Sequence, residues 1–333
     1  MIVPVPRATS QSAMTAMPDA VAAIRRASRI VIACHINPDG DALGSLLGLG
    51  IALRTAGKSA VLLSADGVPE NLAFLPESAT VQKDTDRRDF DLAIVVDSGE
   101  LPRVGAARAA VESAPVVINV DHHIAGAPFG SIQLVSGGAA ATAEIVFDLL
   151  ASLDFGITPA IAENLLCGIL TDTGSFRYRN TTPRTFQIAA TLTTIGASPT
   201  RIAEAVFENR SFAAQKILGR ALENMRLSPD DKVVYTAVTQ TDFAATGAMD
   251  SDTDGVSTHL QSVRGAQVAL FLCEAKPGTF RVSLRSKEPF DVSAVAARFG
   301  GGGHKLASGC SLTGSLADAE ARLLAAVAAQ FLE

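Results

Sequence analysis

The fold is decided by residues 29–57, which read RIVIACHINPDGDALGSLLGLGIALRTAG. Arg29–Ala33 is a short run rich in β-branched residues, which is typical of a buried strand. A polar stretch follows directly and leads into a helical pattern over Ala42–Ala56. Gly57 can end that helix because glycine readily adopts a positive φ. The segment therefore predicts a strand, a turn and a helix, which is the repeating unit of a parallel α/β sheet.

The same alternation continues through the first two thirds of the chain. Further strands are predicted at Ser59–Ser64, Asp91–Val96, Val116–Val120 and Ile132–Val135, with helices at Pro102–Glu112, Ala140–Leu153 and Pro159–Leu170. Near-continuous apolar strands between helices are typical of sheets buried on both faces. We therefore expect a doubly wound, mainly parallel α/β sheet.

Three helices after residue 182 are expected to carry the chain to a second domain, and the pattern changes from Lys232. Helices are predicted at Pro183–Ile195, Pro199–Phe207 and Ser211–Met225, with Ser211 as an N-cap. Strands follow at Val233–Val238, Val268–Cys273 and Thr279–Arg285, with helices at Asp254–Val263, Val292–Arg298 and Leu316–Phe331. We expect a loose tail at 1–17, a metal-binding domain at 18–196, a helical linker at 197–229 and a smaller α/β domain with a mixed sheet at 230–333.

Composition narrows the class of protein. The 333 residues include 28 Lys and Arg and 34 Asp and Glu, giving a net charge of −6. A protein that coats long duplex nucleic acid usually has a basic excess, so a small or short anionic ligand fits better. The four cysteines, Cys34, Cys167, Cys273 and Cys310, form no CxxC pair and lie in or beside apolar stretches. They are interpreted as buried thiols of a cytoplasmic protein with no membrane-spanning segment.

Polar residues with metal-binding chemistry follow the predicted strands. His35, Asp39 and Asp41 come directly after the first strand, at the carboxyl edge where such sheets bind ligands. The alternative is an ordinary acidic turn in which Asp41 caps the next helix. Asp97 follows the third strand, and Asp121, His122 and His123 follow the fourth, while Asp172 ends an apolar helix.

Pooled at one edge, six side chains form a plausible ligand set: His35, Asp39, Asp41, Asp97, His122 and Asp172. Two imidazoles and four carboxylates suit two divalent ions of the Mn²⁺ class, with Mg²⁺, Co²⁺ or Zn²⁺ as alternatives. A central aspartate can bridge such a pair, which then clamps a phosphoryl group.

The second domain carries a different motif, the glycine run Gly300–His304. Glycines allow backbone N–H groups to approach an anion closely, and Arg285 with Ser286 offers a second anion contact. The alternatives are a flexible loop and a solvated arginine.

These motifs, HxxxDxD, DSG, DHH, ILTDTGSF and GGGH, occur in the order that resembles the DHH phosphoesterase superfamily with its associated C-terminal domain. The resemblance extends from Arg29 to the C-terminus. It is strongest to the compact, NrnA-type branch of oligoribonucleases (nanoRNases) and pAp phosphatases, because the chain lacks the Ser-Arg-Lys signature of family II pyrophosphatases. It also lacks the added domains of RecJ exonucleases and the membrane segments of tethered cyclic-dinucleotide phosphodiesterases.

The resemblance implies roles for individual residues. His35, Asp39 and Asp97 hold the first metal, and Asp41, Asp97, His122 and Asp172 hold the second, so that Asp97 bridges. His123 contacts the scissile phosphate, and Asp121 orients a neighbouring histidine. The substrate-binding set is Arg285, Ser286, Gly302, Gly303 and His304.

The function implied by the resemblance is that of a cytoplasmic, Mn²⁺-dependent phosphoesterase that assembles as a homodimer. It hydrolyses short RNA to nucleoside 5′-monophosphates and removes the 3′-phosphate of 3′-phosphoadenosine 5′-phosphate (pAp). One alternative is hydrolysis of linear or cyclic dinucleotides such as pApA and cyclic di-AMP. Another is an inactive nucleotide-binding regulator, which would have no need of two metals and His123.

Overall fold

The computed structural model describes residues 11–123 and 126–331, with the side chains of residues 11–14 and 304 outside the described part. The chain groups into two units, Met1–Asn209 and Arg210–Glu333. The boundary between these units falls inside the segment 197–229 that the sequence predicts as a linker.

The first unit is built on a five-stranded parallel sheet in the order β2-β1-β3-β4-β5. The strands are β1 Arg29–Ala33, β2 Ser59–Leu63, β3 Leu92–Val96, β4 Val117–Asp121 and β5 Ile132–Val135. The helices are α1 Gln11–Arg26, α2 Gly40–Thr55, α3 Arg108–Glu112, α4 Thr142–Leu153, α5 Pro159–Asp172, α6 Pro183–Ile195 and α7 Pro199–Ala203. Short 3₁₀ segments lie at Glu70–Leu72, Ser78–Thr80 and Leu101–Ala107, and a π-helical turn at Glu204–Glu208.

Apolar residues cover both faces of this sheet, as expected for a doubly wound fold. Ile30 and Ile94 belong to a core that includes α1, α2, α4 and α5. Val31 and Val95 belong to a second core with the helical segment 101–112. The predicted α/β class and the parallel sheet are confirmed.

Close packing of α2 against α5 brings two parts of the site together. A Cβ at Gly168 of α5 would lie 2.6 Å from the Asp41 Oδ1 atom, and a Cβ at Gly44 of α2 would lie 2.3 Å from the Asn164 carbonyl oxygen. Only glycine permits such an approach. As a result Asp172, at the end of α5, reaches the residues that begin α2.

Three expectations for the first unit need correction. Residues 11–17 of the predicted tail are helical and begin α1, where Ala16 and Met17 pack against the core, while residues 1–10 lie outside the described part. The helix predicted over Pro102–Glu112 is a 3₁₀ segment followed by α3, because Gly105 interrupts it with φ 59° and ψ −132°. The second half of the helix predicted at Pro199–Phe207 is the π-helical turn.

The second unit contains a six-stranded mixed sheet in the order β10-β11-β9-β8-β7-β6, in which only the β7–β8 pair is parallel among the described strands. The strands are β6 Arg226–Leu227, β7 Val233–Val238, β8 Val268–Lys276, β9 Thr279–Ser286, β10 Gly302–His304 and β11 Ala307–Thr313. The helices are α8 Phe212–Glu223, α9 Gln240–Thr246, α10 Val256–Gln261, α11 Val292–Ala297 and α12 Leu316–Gln330, with a 3₁₀ segment at Asp250–Thr253. The predicted mixed sheet and the Ser211 N-cap are confirmed.

The glycine run is not simply a loop. Gly302 and Gly303 are the first two residues of β10 and pair with Gly309 and Ser308 of β11. A Cβ at Gly303 would lie 2.7 Å from the Ala307 carbonyl oxygen, and the residue has φ 140°. This position requires glycine for the close approach of the two strands.

The four cysteines are buried and unpaired, as predicted. Within the described residues, none of the helices has the length and apolar character needed to cross a membrane.

Candidate metal centre

The carboxyl ends of β1, β3 and β4 lie side by side, because these parallel strands are neighbours in the sheet. The chain leaves β1 toward β2 on one side, whereas β3 leads to β4 on the other. Such a switch point opens a crevice at the carboxyl edge, where ligands bind in this architecture. His35, Asp97 and His122 follow these three strands and meet in that crevice.

The two aspartates of the first motif have different roles at helix termini. Asp39 is the N-cap of α2, and its Oδ1 atom accepts hydrogen bonds at 3.0 Å from the backbone N–H groups of Asp41 and Ala42. The alternative that assigned this cap to Asp41 is wrong. Asp41 is fully buried and accepts instead from the N-terminus of α4, at 2.6 Å from Thr142 N and 2.9 Å from Ala143 N.

Asp97 occupies the centre of the crevice. Its Oδ2 atom lies 3.4 Å from His35 Nε2, and its Oδ1 atom lies 3.7 Å from His122 Nε2. Thr142 Oγ1 donates a hydrogen bond of 2.9 Å to Oδ1. Asp97 is 1% exposed and has a positive φ of 57°, a conformation that is strained for most side chains but tolerated by Asp and Asn. The backbone is thus held so that each carboxylate oxygen faces a different imidazole.

The candidate ligand atoms converge in three overlapping groups, within each of which they lie no more than 4.8 Å apart. The groups are His35 with Asp39 and Asp97; Asp41 with His122 and Asp172; and Asp97 with His122 and His123. All six side chains that the sequence pools as ligands therefore come together. His122 Nε2 lies 3.0 Å from Asp172 Oδ2, and His35 Nε2 lies 4.0 Å from Asp39 Oδ1.

The electrostatics fit a cation at this position. Burial, followed by the charges of Asp97 and Asp172, raises the pKa of Asp41 well above its ordinary value. Burial opposes the charged form of His122, but Asp172 and the other carboxylates outweigh it and raise its pKa to about 10. Without a cation, the crowded negative charge thus favours protonation of Asp41 and of His122. Divalent ions would replace those protons, and oxygen with imidazole ligands suits Mn²⁺, Mg²⁺, Co²⁺ or Zn²⁺.

Hydrogen bonds fix the ring orientation of two histidines. His35 Nδ1 lies 2.7 Å from the Ile36 carbonyl oxygen, so this nitrogen donates and Nε2 keeps its lone pair toward Asp39 and Asp97. His123 Nδ1 lies 2.8 Å from Asp121 Oδ1, which also accepts from the His123 backbone N–H at 3.1 Å. The Asp121 hydrogen bond raises the pKa of His123. Asp121 therefore fixes the orientation of the His123 ring through Nδ1.

In the second unit, the predicted substrate-binding residues differ in their surroundings. Arg285 and His304 both pair through their backbones with Ala307, from opposite sides of β11. An open cavity of about 470 Å³ lies near this row and is lined in part by Gly300, Gly301 and Gly309. The side chain of His304 lies outside the described part. Ser286 is 4% exposed and donates to the Phe290 carbonyl oxygen, so its hydroxyl stabilises a turn and the structure does not support a substrate contact.

Two residues of the site escaped sequence reasoning. Thr142 contacts Asp97 and Asp41 from the start of α4. Asn180 Nδ2 donates to the carbonyl oxygens of Asp172 and Ala140, at 3.0 and 2.9 Å. Thr142 bonds to residues that are distant in the sequence, and Asn180 bonds to Asp172 across an irregular turn. No local sequence pattern predicts these contacts. The sequence offers one indirect signal, since Asn180 lies in the segment 174–184 that resembles the same branch of phosphoesterases.

Comparisons with known proteins agree with this geometry. Residues 29–169 match the DHH family, N-terminal domain, and residues 230–333 match the DHHA1 domain. The chain is 35% identical over 300 residues to the bifunctional oligoribonuclease and PAP phosphatase NrnA of Thermus thermophilus, covering 90% of this chain and 89% of that protein. It is 29% identical to the protein of the same name from Bacillus subtilis, covering 85% and 89%.

Solved structures show the same fold. An exopolyphosphatase-related protein from Bacteroides fragilis superposes with a TM-score of 0.90 and 26% identity, covering 97% of each chain. RecJ of Thermus thermophilus, solved in complex with Mn²⁺, matches with a TM-score of 0.54 and 17% identity, covering 98% of this chain and 56% of that one.

Proposed function

The chain belongs to the DHH family of phosphoesterases, and on that premise we propose that it is a two-metal hydrolase of short oligoribonucleotides and of pAp. Its products are nucleoside 5′-monophosphates from RNA and AMP from pAp. The observation that carries the proposal is the position of Asp97, a buried carboxylate shared by two groups of ligand atoms. A carboxylate shared by two ion positions suits a two-metal site that clamps a phosphoryl group for in-line displacement.

The substrate class follows from relatives and from charge. The relatives from Thermus thermophilus and Bacillus subtilis carry names that specify oligoribonuclease and PAP phosphatase activity. A net charge of −6 gives little attraction for long polyanions but is compatible with a substrate of few phosphates.

The ligand assignment is the one that the family resemblance implies, and the groups of converging ligand atoms support it in part. We assign His35, Asp39 and Asp97 to one ion and Asp41, Asp97, His122 and Asp172 to the other, with Mn²⁺ as the metal. When bound, such a pair lowers the pKa of water and clamps phosphoryl oxygens. Among the protein's own groups, Asp121 holds His123 by Nδ1, so that Nε2 can donate to an oxygen of the scissile phosphate.

The decisive experiment compares substrates on one purified protein with Mn²⁺. We expect hydrolysis of pAp and of a 5-mer RNA, and little activity on a 24-mer or on pyrophosphate. Preferential turnover of pApA or cyclic di-AMP would replace the proposed substrates by dinucleotides. Binding of these nucleotides without turnover would favour the inactive regulator.

Thr142→Val tests the support of the two carboxylates. The change removes the hydroxyl that donates to Asp97 and keeps the backbone N–H that donates to Asp41. Groups that orient metal ligands typically contribute about 10- to 100-fold in metal affinity, so we expect a loss of that size. Titration of the metal-free protein with Mn²⁺ by calorimetry measures it. Thr142→Ser keeps the hydroxyl and serves as the control, and unchanged affinity in the valine variant would remove Thr142 from the site.

Arg285→Ala tests the second unit. If Arg285 binds a substrate phosphate, its loss should raise KM for pAp and for short RNA by roughly 10- to 100-fold, as for removal of a charged hydrogen bond. Hydrolysis of bis-p-nitrophenyl phosphate, which lacks a terminal phosphate, should stay nearly normal. Arg322→Ala is the matched control, because Arg322 is an exposed arginine of α12 paired with Asp318. Equal, small effects on both substrates would exclude Arg285 from substrate binding.

A further inference from the structure

The segment that follows Asp172 has a strained backbone. Gly174, Ser175 and Phe176 have consecutive positive φ angles of 54°, 59° and 64°. For residues with a side chain this conformation is unfavourable, and such strain concentrates at functional sites. Hydrogen bonds hold it, from Ser175 N to Leu170 O at 2.8 Å and from Phe176 N to Thr173 Oγ1 at 3.1 Å. The turn is therefore a fixed structure.

This turn places the ring of Tyr178 on the backbone of Gly174. A Cβ at Gly174 would lie 2.4 Å from Tyr178 Cζ and 2.6 and 2.7 Å from the two Cε atoms. Near-equal distances to these three atoms, with the hydroxyl oxygen farther away, mean that one face of the ring covers the glycine. Tyr178 is nevertheless 49% exposed. An aromatic ring is thus backed by main chain on one face and open to solvent elsewhere.

The ring belongs to the segment that directly follows a proposed metal ligand, Asp172. Gly174 is two residues from Asp172, so their Cα atoms are at most about 7.6 Å apart. Asn180, two residues after Tyr178, donates to the carbonyl oxygen of Asp172 and ties the far end of the segment to the same ligand. The flanking residues Arg177 and Arg179 are exposed, and Arg177 Nε donates to the carbonyl oxygen of Gly174 at 2.6 Å. The backbone that carries the Tyr178 ring is therefore anchored at both ends to Asp172 or to residues next to it.

We propose that Tyr178 is a stacking surface for the nucleobase of the substrate, an inference that rests on the proposed function. A nucleotide whose phosphoester lies at the metal ligands must place its base nearby, and the base is the flat, weakly polar part of the molecule. A rigid aromatic face with adjacent arginines matches a base joined to anionic phosphates. Because each base has a π-face, such stacking tolerates different sequences.

The test compares pAp with ribose 3′,5′-bisphosphate, which carries the same phosphates and no base. Stacking of one base corresponds to roughly a five- to hundredfold advantage, so the wild-type protein should prefer pAp by that factor in kcat/KM. Tyr178→Leu should lose most of this preference and keep its kcat/KM on ribose 3′,5′-bisphosphate. Tyr178→Phe and Tyr178→Trp should retain the preference. Phe212→Leu, at an aromatic residue that is 81% exposed in the second unit, is the control and should behave as wild type.

The outcomes separate this inference from the proposed function. If the wild-type protein hydrolyses neither pAp nor short RNA, the proposed function fails. If it hydrolyses pAp and Tyr178→Leu keeps the preference for pAp, the stacking surface is wrong. An equal loss on both substrates, with reduced Mn²⁺ content by elemental analysis, would also overturn it, because Tyr178 would then act by supporting Asp172.

Discussion

Asp97→Asn is expected to abolish turnover and to empty both metal positions. The carboxylate oxygens of Asp97 face His35 on one side and His122 on the other. Asparagine has a single oxygen and no charge, so it can no longer serve as an anionic ligand shared by both groups. We expect kcat on pAp to fall by at least about 10⁴-fold, the upper end for loss of one acid–base group, because the water-activating pair is lost with it. Elemental analysis of Mn²⁺ per chain, alongside kcat, measures both effects.

Asparagine is chosen because it allows the backbone at position 97 to keep the conformation of the wild-type protein. Asp97 has φ 57°, and asparagine tolerates this left-handed region whereas alanine would add strain. The chain offers a matched control in Asp154, which has φ 58° and lies exposed at the end of α4. Asp154→Asn should retain full activity and metal content. Two ions per chain and normal turnover in Asp97→Asn would rule out the shared carboxylate.

The first unit could be predicted well because its strands are buried on both faces. The strand β3 Leu92–Val96, for example, consists of apolar residues bounded by polar ones, and burial of both faces makes that run continuous. Parallel order then brings the carboxyl ends to one edge, so the polar residues after each strand could be pooled before any distance was known. This reasoning brought His35, Asp97 and His122 together from sequence positions far apart.

Contacts made by a helix terminus could not be predicted in this way. Thr142 is 45 residues from Asp97 and 101 residues from Asp41 in the sequence. Its position depends on how α4 packs beside α2. Gly168 of α5 permits that packing, because a Cβ there would lie 2.6 Å from Asp41 Oδ1 and 2.9 Å from Ala143 Cβ. The alternative that made Asp41 the N-cap of α2 is wrong for the same reason. The local sequence favours an N-cap at either Asp39 or Asp41. Asp41 accepts hydrogen bonds from the N-terminus of α4 instead, so Asp39 is the cap.

The second unit was predicted less completely because its edge strands lack a hydrophobic signal. β6 has two residues, and β10 consists of two glycines and a histidine. Within β11, Ser308, Gly309 and Ser311 interrupt the apolar pattern. Glycine disfavours strands in general, but at Gly303 the nearby Ala307 carbonyl leaves no room for a side chain. Tertiary pairing therefore overrides local preference at these positions.

The adjacent histidines are expected to respond differently to substitution. His122→Ala removes the imidazole whose Nε2 lies 3.0 Å from Asp172 Oδ2 and should lower Mn²⁺ occupancy. His123→Ala should keep the metals, because His123 Nδ1 is held by Asp121 at 2.8 Å and its Nε2 faces away from that contact. Loss of one acid or phosphate contact costs about 10²- to 10⁴-fold, which is the fall in kcat on pAp that we expect for His123→Ala.

Parallel metal analysis and kinetics on the two variants decide the assignment. The geometry contains a competing arrangement, because His123 Nδ1 also lies 3.7 Å from Asp97 Oδ1 and could join Asp97 and His122 around one ion. In that case both variants would lose metal to the same degree. The variant Asp121→Asn further distinguishes a His123 that contacts phosphate from a His123 that binds metal. If Asp121 only orients His123, this variant should keep its metals and share the rate defect of His123→Ala, whereas a histidine that binds metal through Nδ1 would be released from Asp121 and bind the ion more tightly.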